Sequence, residues 1–346
     1  MGTKITYKLI FLVAVLFFIN SCSIYDYKVE SVKEVSLSEM SLEDKIAQMM
    51  IIEGKIENLE KVSKLSIGGI FLFSLANENE YVDLILRFKE NSKYGLFVAT
   101  DLEGCVNMLE NIKSFKYFNE IKTAEEAYEI GVEMGRLMLR LGFNLNFAPV
   151  LDLQDTIWNC RSFLGSPEEI MKKGISFLNG LQSTGVMGTA KHFPGRTLNI
   201  GDTHKAEANA LISDEDLIPF YEAIKSDSDI IMINHLIVTG SIDSGGIPSS
   251  VSPDVINNLR ENGYDGFIVT DDLKMKAVSG RYENKYDVYV DAINAGNDLL
   301  LNVYEENPEN AIRYIMNAVE DGRIDLKKID SAVEKILKKK GINVIF

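Results

Sequence analysis

The sequence has few of the residues that build metal sites, disulfide frameworks and rigid loops. Its 346 residues include three cysteines, three histidines, seven prolines and one tryptophan. Cys22, Cys105 and Cys160 lie far apart, and neither they nor the histidines show the close pairing, such as C-x-x-C or H-x3-H, that holds a metal ion. We therefore expect no zinc site, no disulfide framework and no cofactor.

Basic side chains are outnumbered by acidic ones. Lysine and arginine total 36 against 51 aspartates and glutamates, which gives a net charge of -15. Such a surface repels a phosphate backbone and an anionic membrane, so nucleic acid is excluded as a partner. The apolar share of 46% and the charged share of 25% are those of an ordinary globular protein, and they exclude disordered and collagen-like classes.

No apolar run is long enough to span a bilayer. The eleven residues Leu9–Ile19 follow Lys4 and Lys8 and precede a short polar segment that ends in Cys22. This order predicts a signal peptide over residues 1–21, with an uncleaved anchor as the alternative, and either places the domain outside the cytoplasm. The segment before Cys22 resembles the bacterial lipoprotein box, which implies that Cys22 is lipidated.

Removal of the signal peptide changes the charge of the chain. It deletes two lysines and no acid, so 34 basic and 51 acidic side chains remain and the net charge becomes -17. Membrane attachment would then depend only on the N-terminal lipid anchor. Residues 22–39 are polar and mixed in composition, and we expect them to form a tether.

Eight short apolar runs alternate with helical stretches from residue 41 onward. Continuous apolar runs are typical of parallel strands buried on both faces. Capping patterns at Thr123 with Glu126 and at Ser166 with Glu169 predict helix starts, and Gly142 predicts a helix end. The runs are Ala47–Ile52, Gly69–Phe73, Leu96–Thr100, Leu145–Val150, Val186–Ala190, Asp229–Ile233, Gly266–Thr270 and Asp298–Leu301.

This alternation predicts an α/β fold, specifically a single-domain (β/α)8 TIM-type barrel over residues 40–346. A doubly wound open sheet is the alternative. It is weakened because no G-x-G-x-x-G motif follows a predicted strand.

Polar side chains gather where five of the predicted strands end. In a barrel the carboxyl ends of the strands carry the chemistry, although a single acid after a strand is often a helix cap, and Asp272 in particular has that alternative. Carboxylates and imidazoles around one opening favour acid/base or covalent chemistry on a neutral polar substrate such as a sugar. The residues are Asp101, Glu103, Asp152, Lys191, His192, Asn234, His235, Asp271 and Asp272.

Three motifs along the chain resemble glycoside hydrolase family 3, in particular its single-domain β-N-acetylglucosaminidase branch. Met40–Met49 and Asn146–Asp152 are also similar to stretches of that family. The motifs are Lys191–Gly195 (KHFPG), Asp202–His204 (DTH) and Ile268–Met275 (IVTDDLKM).

The resemblance implies a retaining hydrolysis in two displacements. Asp271 would be the nucleophile that forms a glycosyl-enzyme, and His204 would be the acid/base, paired with Asp202. The residues that would hold the sugar are Asp101, Arg161, Lys191 and His192.

The chain departs from the family pattern at two places. After the third predicted strand the family usually continues Glu-Gly-Gly-Arg-Val, whereas this chain has Glu103–Asn107 (EGCVN), so an expected arginine is missing. In the loop before His204, Leu198 stands where the family has an acid. We expect both departures to alter the sugar contacts that are usual in the family. The only tryptophan of the sequence, Trp158, lies shortly before Arg161.

The predicted function is a lipid-anchored, extracytoplasmic β-N-acetylhexosaminidase. It would remove terminal β-linked GlcNAc from peptidoglycan-derived or chitin-like oligosaccharides, act as a monomer and have the oligosaccharide as its partner. One alternative is a β-glucosidase-like enzyme of the same family, and another is a non-catalytic sugar-binding lipoprotein on a decayed barrel. Transfer to phosphate instead of water is a further open alternative.

Overall fold

Eight short parallel strands form the centre of the structure, a computed structural model that describes residues 34–200, 203, 205–305 and 307–345. Each strand overlaps one of the eight apolar runs, which confirms that part of the sequence interpretation. The strands are β1 (Met50–Glu53), β2 (Gly69–Phe71), β3 (Phe97–Thr100), β4 (Leu145–Asn146), β5 (Thr189–Phe193), β6 (Ile230–Ile233), β7 (Phe267–Thr270) and β8 (Leu300–Asn302).

The strands pair in two parallel sheets. One has the order β8-β1-β2-β3-β4 and the other the order β7-β6-β5. Parallel bridges connect the two sheets at both junctions, Leu145 with Met187 and Val269 with Leu299. The protein is therefore an α/β fold in which successive strands end on the same side, so side chains that follow them are brought together.

Helices occupy most of the connections between the strands. They are α1 (Leu42–Gln48), α2 (Leu59–Leu65), α3 (Glu78–Glu90), α4 (Ala124–Leu141), α5 (Pro167–Gln182), α6 (Thr197–Ile200), α7 (Asp214–Lys225), α8 (Pro253–Glu261), α9 (Lys276–Ser279), α10 (Asp287–Ala295), α11 (Pro308–Glu320) and α12 (Leu326–Lys339).

The predicted helix ends of α4 and α5 are confirmed. The Thr123 hydroxyl accepts the N–H of Glu126, and the left-handed Gly142 ends α4 at φ 99°. Ser166 and Glu169 form the reciprocal capping box that starts α5. The two helices also pack backbone to backbone, since a Cβ on Gly180 would lie 2.1 Å from the carbonyl oxygen of Tyr128. This contact sets the close approach of α4 to the carboxyl-terminal part of α5.

The amino ends of the strands are closed by the last helix and a short extra sheet. Lys340 donates its Nζ–H groups to Gln48 Oε1 at 2.8 Å, to the carbonyl of Gly68 at 2.7 Å and to that of Gly95 at 3.0 Å. Residues Glu34–Ser36 pair in parallel with Asn343–Ile345.

The predicted tether is too long at its carboxyl end. Residues Glu34–Ser36 form a strand and Leu37–Glu39 a 3-10 helix, and Val35 and Leu37 are buried in the main core. Burial of these two apolar side chains places residues 34–39 in the domain. The predicted signal peptide, Cys22 and residues 23–33 lie outside the described residues. Among the residues that are described, no helix combines the length and the apolar character needed to cross a membrane.

Candidate active site

A cavity of about 310 Å³ opens at the carboxyl ends of the strands. Five of the seven residues predicted to act in catalysis or to hold the sugar line it, together with two further acids, Glu103 and Asp272. Phe71, Phe147 and Met232 supply part of its apolar wall. Together these seven lining residues are Asp101, Glu103, Arg161, Lys191, His192, Asp271 and Asp272.

Four of these side chains form a buried network of ion pairs. Lys191 Nζ lies 3.0 Å from Asp101 Oδ1 and 2.9 Å from Glu103 Oε2. Arg161 Nη2 lies 2.8 Å from Glu103 Oε1. The side chains of Glu103 and Lys191 are only 2% and 4% exposed, so these charges are held largely away from water.

Glu103 is the functional residue that the sequence interpretation passed over. It occurred in the polar cluster after β3, where the alternation of Asp101, Leu102 and Glu103 places both acids on one side of an extended segment. What marks it out is its contact with both Lys191 and Arg161, and those partners come from distant parts of the chain.

The network shifts the pKa values of its two carboxyl groups in opposite directions. Burial alone would raise the pKa of Glu103, but the charges of Arg161 and Lys191 outweigh it and hold that pKa below its ordinary value. Burial raises the pKa of Asp101, and the negative charge of Glu103 raises it further. The positive charge of Lys191 offsets only part of this increase. Burial would lower the pKa of Lys191, yet Asp101 and Glu103 keep it above the ordinary value, so the lysine remains a cation.

His192 is held by a buried aspartate. Its Nδ1 lies 2.8 Å from Asp152 Oδ2, and the other carboxylate oxygen accepts the N–H of Thr197 at 2.9 Å. Asp152 is fully buried and follows β4, while His192 belongs to β5. Because a carboxylate only accepts, the Nδ1 of His192 carries the proton and the ring orientation is fixed.

Asp271 directly follows β7 and faces the cavity. Its Oδ1 accepts the N–H of Asp272 at 2.8 Å, and its own N–H donates to the carbonyl of Ile233 at 2.9 Å. Burial would raise the pKa of Asp271, but the nearby imidazoles of His235 and His192, together with that N–H, hold it below the ordinary value. The carboxylate is therefore ionised at neutral pH, as a nucleophile requires.

Asp272 organises the backbone around Asp271. Its two carboxylate oxygens accept the N–H of Lys274 at 2.8 Å and the N–H of Val303 at 2.7 Å. Burial raises its pKa to about 6 despite these bonds. The alternative interpretation of Asp272 as a helix cap is wrong, because α9 begins at Lys276 and its N-cap residue is Met275. Asp272 instead joins the turn after β7 to the backbone that follows β8.

His235 lies behind this segment. Its Nε2 is 3.0 Å from the carbonyl oxygen of Asp272 and must donate to it, and its Nδ1 is 2.7 Å from the hydroxyl of Ser250. With 1% of its surface exposed, it packs below the site rather than facing the cavity.

The loop between β4 and α5 carries Arg161 and is wound around one carboxylate. Asp155 accepts the N–H groups of Trp158 at 2.7 Å, of Cys160 at 3.0 Å and of Arg161 at 2.8 Å. Trp158 is 52% exposed, lines the cavity, and has its ring 5.8 Å from the guanidinium of Arg161.

A disulfide joins Cys105 to Cys160, with their Cα atoms 5.6 Å apart. The expectation that the cysteines form no disulfide framework is therefore wrong. The two residues are 55 positions apart in the sequence, and they meet only because the loops that follow β3 and β4 converge at the cavity.

The predicted acid/base residues His204 and Asp202 lie outside the described residues. Thr203, which separates them in the sequence, is described: it lines the cavity, is 4% exposed, and accepts the N–H of Ala277 at 3.1 Å on its carbonyl oxygen.

A cavity at the strand ends that holds an ionised carboxylate and a set of charged hydrogen-bonding groups fits acid/base or covalent chemistry on a polar substrate. The chain belongs to glycosyl hydrolase family 3, because the model of the family's N-terminal domain matches residues 41–339. It is therefore a glycoside hydrolase.

Similar proteins cover most of the chain. A β-hexosaminidase named LpqI from Mycobacterium tuberculosis is 26% identical over 88% of this chain and 84% of its own length. A β-hexosaminidase from Tolumonas auensis is 30% identical over 71% of this chain and 78% of its own. The solved structure of a glycoside hydrolase family 3 β-N-acetylglucosaminidase from Paenibacillus sp. str. FPU-7 superimposes with a TM-score of 0.81 at 30% identity, over 87% of this chain and 62% of that one.

Proposed function

We propose that the protein is a retaining β-N-acetylhexosaminidase that removes terminal β-linked GlcNAc from peptidoglycan-derived or chitin-like oligosaccharides. The observation that carries the proposal is Asp271, an ionised carboxylate in a cavity whose other polar groups suit sugar hydroxyls. The relatives named β-hexosaminidase and β-N-acetylglucosaminidase support the sugar class.

The proposal includes the closed form of the fold. We propose that the eight strands form a (β/α)8 barrel, which would place the cavity at its carboxyl face. The bridges at Leu145–Met187 and Val269–Leu299 support closure, because each connects the edge strands of the two sheets.

In the first displacement, a carboxylate oxygen of Asp271 attacks the anomeric carbon and the bond to the leaving oxygen breaks. His204, paired with Asp202, gives its proton to that oxygen. In the second displacement His204 takes a proton from water, the water oxygen bonds to the anomeric carbon, and the bond to Asp271 breaks. The roles of His204 and Asp202 rest on the family motif, and the position of Thr203 at the cavity supports them.

The charged network would orient the sugar. Lys191 and Arg161 present N–H donors, and Asp101, whose side chain is 21% exposed, presents acceptor oxygens. His192 presents the Nε2 of its ring, because its Nδ1 proton is donated to Asp152. A cavity of about 310 Å³ is at the small end of ligand sites, which supports removal of a single terminal sugar.

We also propose that the mature protein is an extracytoplasmic, membrane-anchored monomer, lipidated at Cys22. The N-terminal sequence supports the anchor, and the Cys105–Cys160 disulfide supports the extracytoplasmic location, since such bonds persist in oxidising compartments. Expression of a Cys22→Ala variant tests it: the variant should move from the membrane fraction to the soluble extracytoplasmic fraction. Retention in the membrane fraction would contradict a lipid anchor.

Hydrolysis of aryl β-GlcNAc tests the enzyme assignment. Asp271→Asn and His204→Ala should each lower kcat by about a thousandfold or more, whereas Glu78→Gln, a change of an exposed ion pair, should leave it unchanged. A 2-fluoro sugar should leave a covalent adduct on Asp271 that mass spectrometry detects. Full activity of Asp271→Asn would refute the proposed nucleophile, and faster hydrolysis of aryl glucosides would favour a β-glucosidase.

A further inference from the structure

The two loops that form the Arg161–Glu103 ion pair are covalently joined beside it. Glu103 lies two residues before Cys105, in the short hairpin of Leu102–Glu103 and Val106–Asn107, and Arg161 directly follows Cys160. The disulfide and the ion pair therefore connect the same two segments at neighbouring positions.

The loops also touch through their backbones. Gly104 has a φ of 65°, and a Cβ at that position would lie 2.2 Å from the carbonyl oxygen of Cys160. Only glycine fits both the left-handed conformation and the close approach. The hairpin thus lies directly against the residue that precedes Arg161.

The loop between β4 and α5 that carries Arg161 contains no helix or strand, and its tip is exposed. Its flanks are anchored by the bridge between Val150 and Ser162, by the buried ring of Phe163, and by the bond from the N–H of Thr156 to the carbonyl of Leu198 at 2.9 Å. The tip, residues 157–160, depends on N–H bonds to Asp155 and on the bond from Asn119 Nδ2 to the carbonyl of Asn159 at 2.7 Å. Ordering such a loop costs conformational entropy, which a covalent link to a second segment lowers in advance of substrate binding.

We propose that Cys105 and Cys160 are positioning residues for the sugar site: their disulfide holds Arg161 and Trp158 in the geometry that binds substrate. The proposal rests on the proposed function, because it concerns the same cavity. It also gives a role to the departure from the family pattern at Cys105 and Val106, where the usual arginine is absent. In this chain the segment that carries an additional arginine in the family instead carries Cys105, and we call the Cys105–Cys160 disulfide the clamp on Arg161.

The chain contains its own reporter for this clamp. Trp158 is the only tryptophan in the sequence, lies two residues from Cys160, and contacts the guanidinium of Arg161. Its fluorescence therefore reports on this loop alone, whether or not a substrate is known.

The experiment compares the oxidised and reduced full-length protein. A dithiol reductant supplies two electrons and two protons, so that Cys105 and Cys160 become thiols and the reductant becomes a cyclic disulfide. After reduction at a temperature below unfolding, we expect a fall in Trp158 anisotropy, stronger quenching by acrylamide, and about a tenfold rise in KM for aryl β-GlcNAc with kcat within about twofold.

A Cys105→Ser/Cys160→Ser double variant is the matched control. It should show the raised KM without reductant and no further change on its addition, which separates the clamp from effects on Cys22. Unchanged KM and anisotropy in reduced wild-type protein would overturn the clamp, and so would a fall in kcat with KM unchanged. If the oxidised protein fails to hydrolyse the substrate at all, the proposed function fails, and the anisotropy alone then decides whether the disulfide orders the loop.

Discussion

Replacing Glu103 with glutamine would remove one charge from the buried ion-pair network while keeping the size and shape of the side chain. Lys191, 4% exposed, would keep Asp101 as its partner at 3.0 Å, but Arg161 would face a neutral amide. Removal of one partner from a buried pair typically costs about 3–5 kcal/mol. Because Asp101 still compensates one of the two cations, we expect about 3 kcal/mol, at the lower end of that range.

Two measurements check this prediction. Thermal unfolding followed by Trp158 fluorescence should show a Tm lowered by roughly 6 °C or more. Steady-state kinetics should show kcat/KM lowered by about ten to a hundredfold, because the N–H donors of Lys191 and Arg161 lose the group that orients them.

The pH dependence gives the sign of the effect. The folded state holds the pKa of Glu103 below the ordinary value of 4.5, so its ionised form stabilises the fold above that pH. This stabilisation is lost as the pH falls through the pKa of the folded state. The difference in unfolding free energy between wild type and Glu103→Gln should therefore be largest near neutrality and shrink below about pH 4.5.

A surface variant provides the control for the loss of one carboxylate charge. Glu78 pairs with Arg140, and both side chains are about half exposed, so Glu78→Gln should change stability by less than about 1 kcal/mol. If Glu103→Gln has the same Tm and the same kcat/KM as Glu78→Gln, the buried network does not hold the sugar-binding cations in place.

Three further changes test other parts of the structure. Asp152→Asn should lower kcat/KM by about ten to a hundredfold because the amide no longer fixes the proton of His192, and unchanged kinetics would contradict that role. Lys340→Met should lower the free energy of unfolding in urea by about 2 kcal/mol or more with KM unchanged, because three partly buried acceptors lose their donor far from the cavity. Trp158→Ala should raise KM about three to tenfold, whereas Tyr128→Ala, which removes a ring from α4 that is 43% exposed against 52% for Trp158, should leave KM unchanged. Equal effects would argue against Trp158 as a sugar contact.

Most of what the sequence predicted correctly is local. Continuous apolar runs indicated the eight strands, since a strand buried on both faces needs apolar side chains at every position. The caps at Thr123 and Ser166 depend on contacts within three residues, so the sequence alone identifies them. The order of strands also sufficed to expect Asp101, Lys191 and Asp271 at one opening, and all three line the cavity.

What the sequence did not predict depends on long-range contacts. Arg161 and Glu103 are 58 residues apart, and Lys191 and Asp101 are 90 apart, so no spacing rule pairs them. The same holds for Cys105 and Cys160, whose separation of 55 residues suggested no bond. The predicted boundary between residues 39 and 40 was misplaced because the pairing of Glu34–Ser36 with Asn343–Ile345 joins opposite ends of the domain.

The amino-acid sequence by itself thus determined the strands, the helix caps and the set of side chains at the strand ends, because these follow from periodicity and from contacts between near neighbours. The tertiary structure alone decided which of those side chains pair, that Asp272 serves the backbone while Asp271 faces the cavity, and that a disulfide fixes the arginine loop. The physical reason is that pairing, burial and pKa depend on distances in space. Loops that are far apart in the chain acquire those distances only when the sheets assemble.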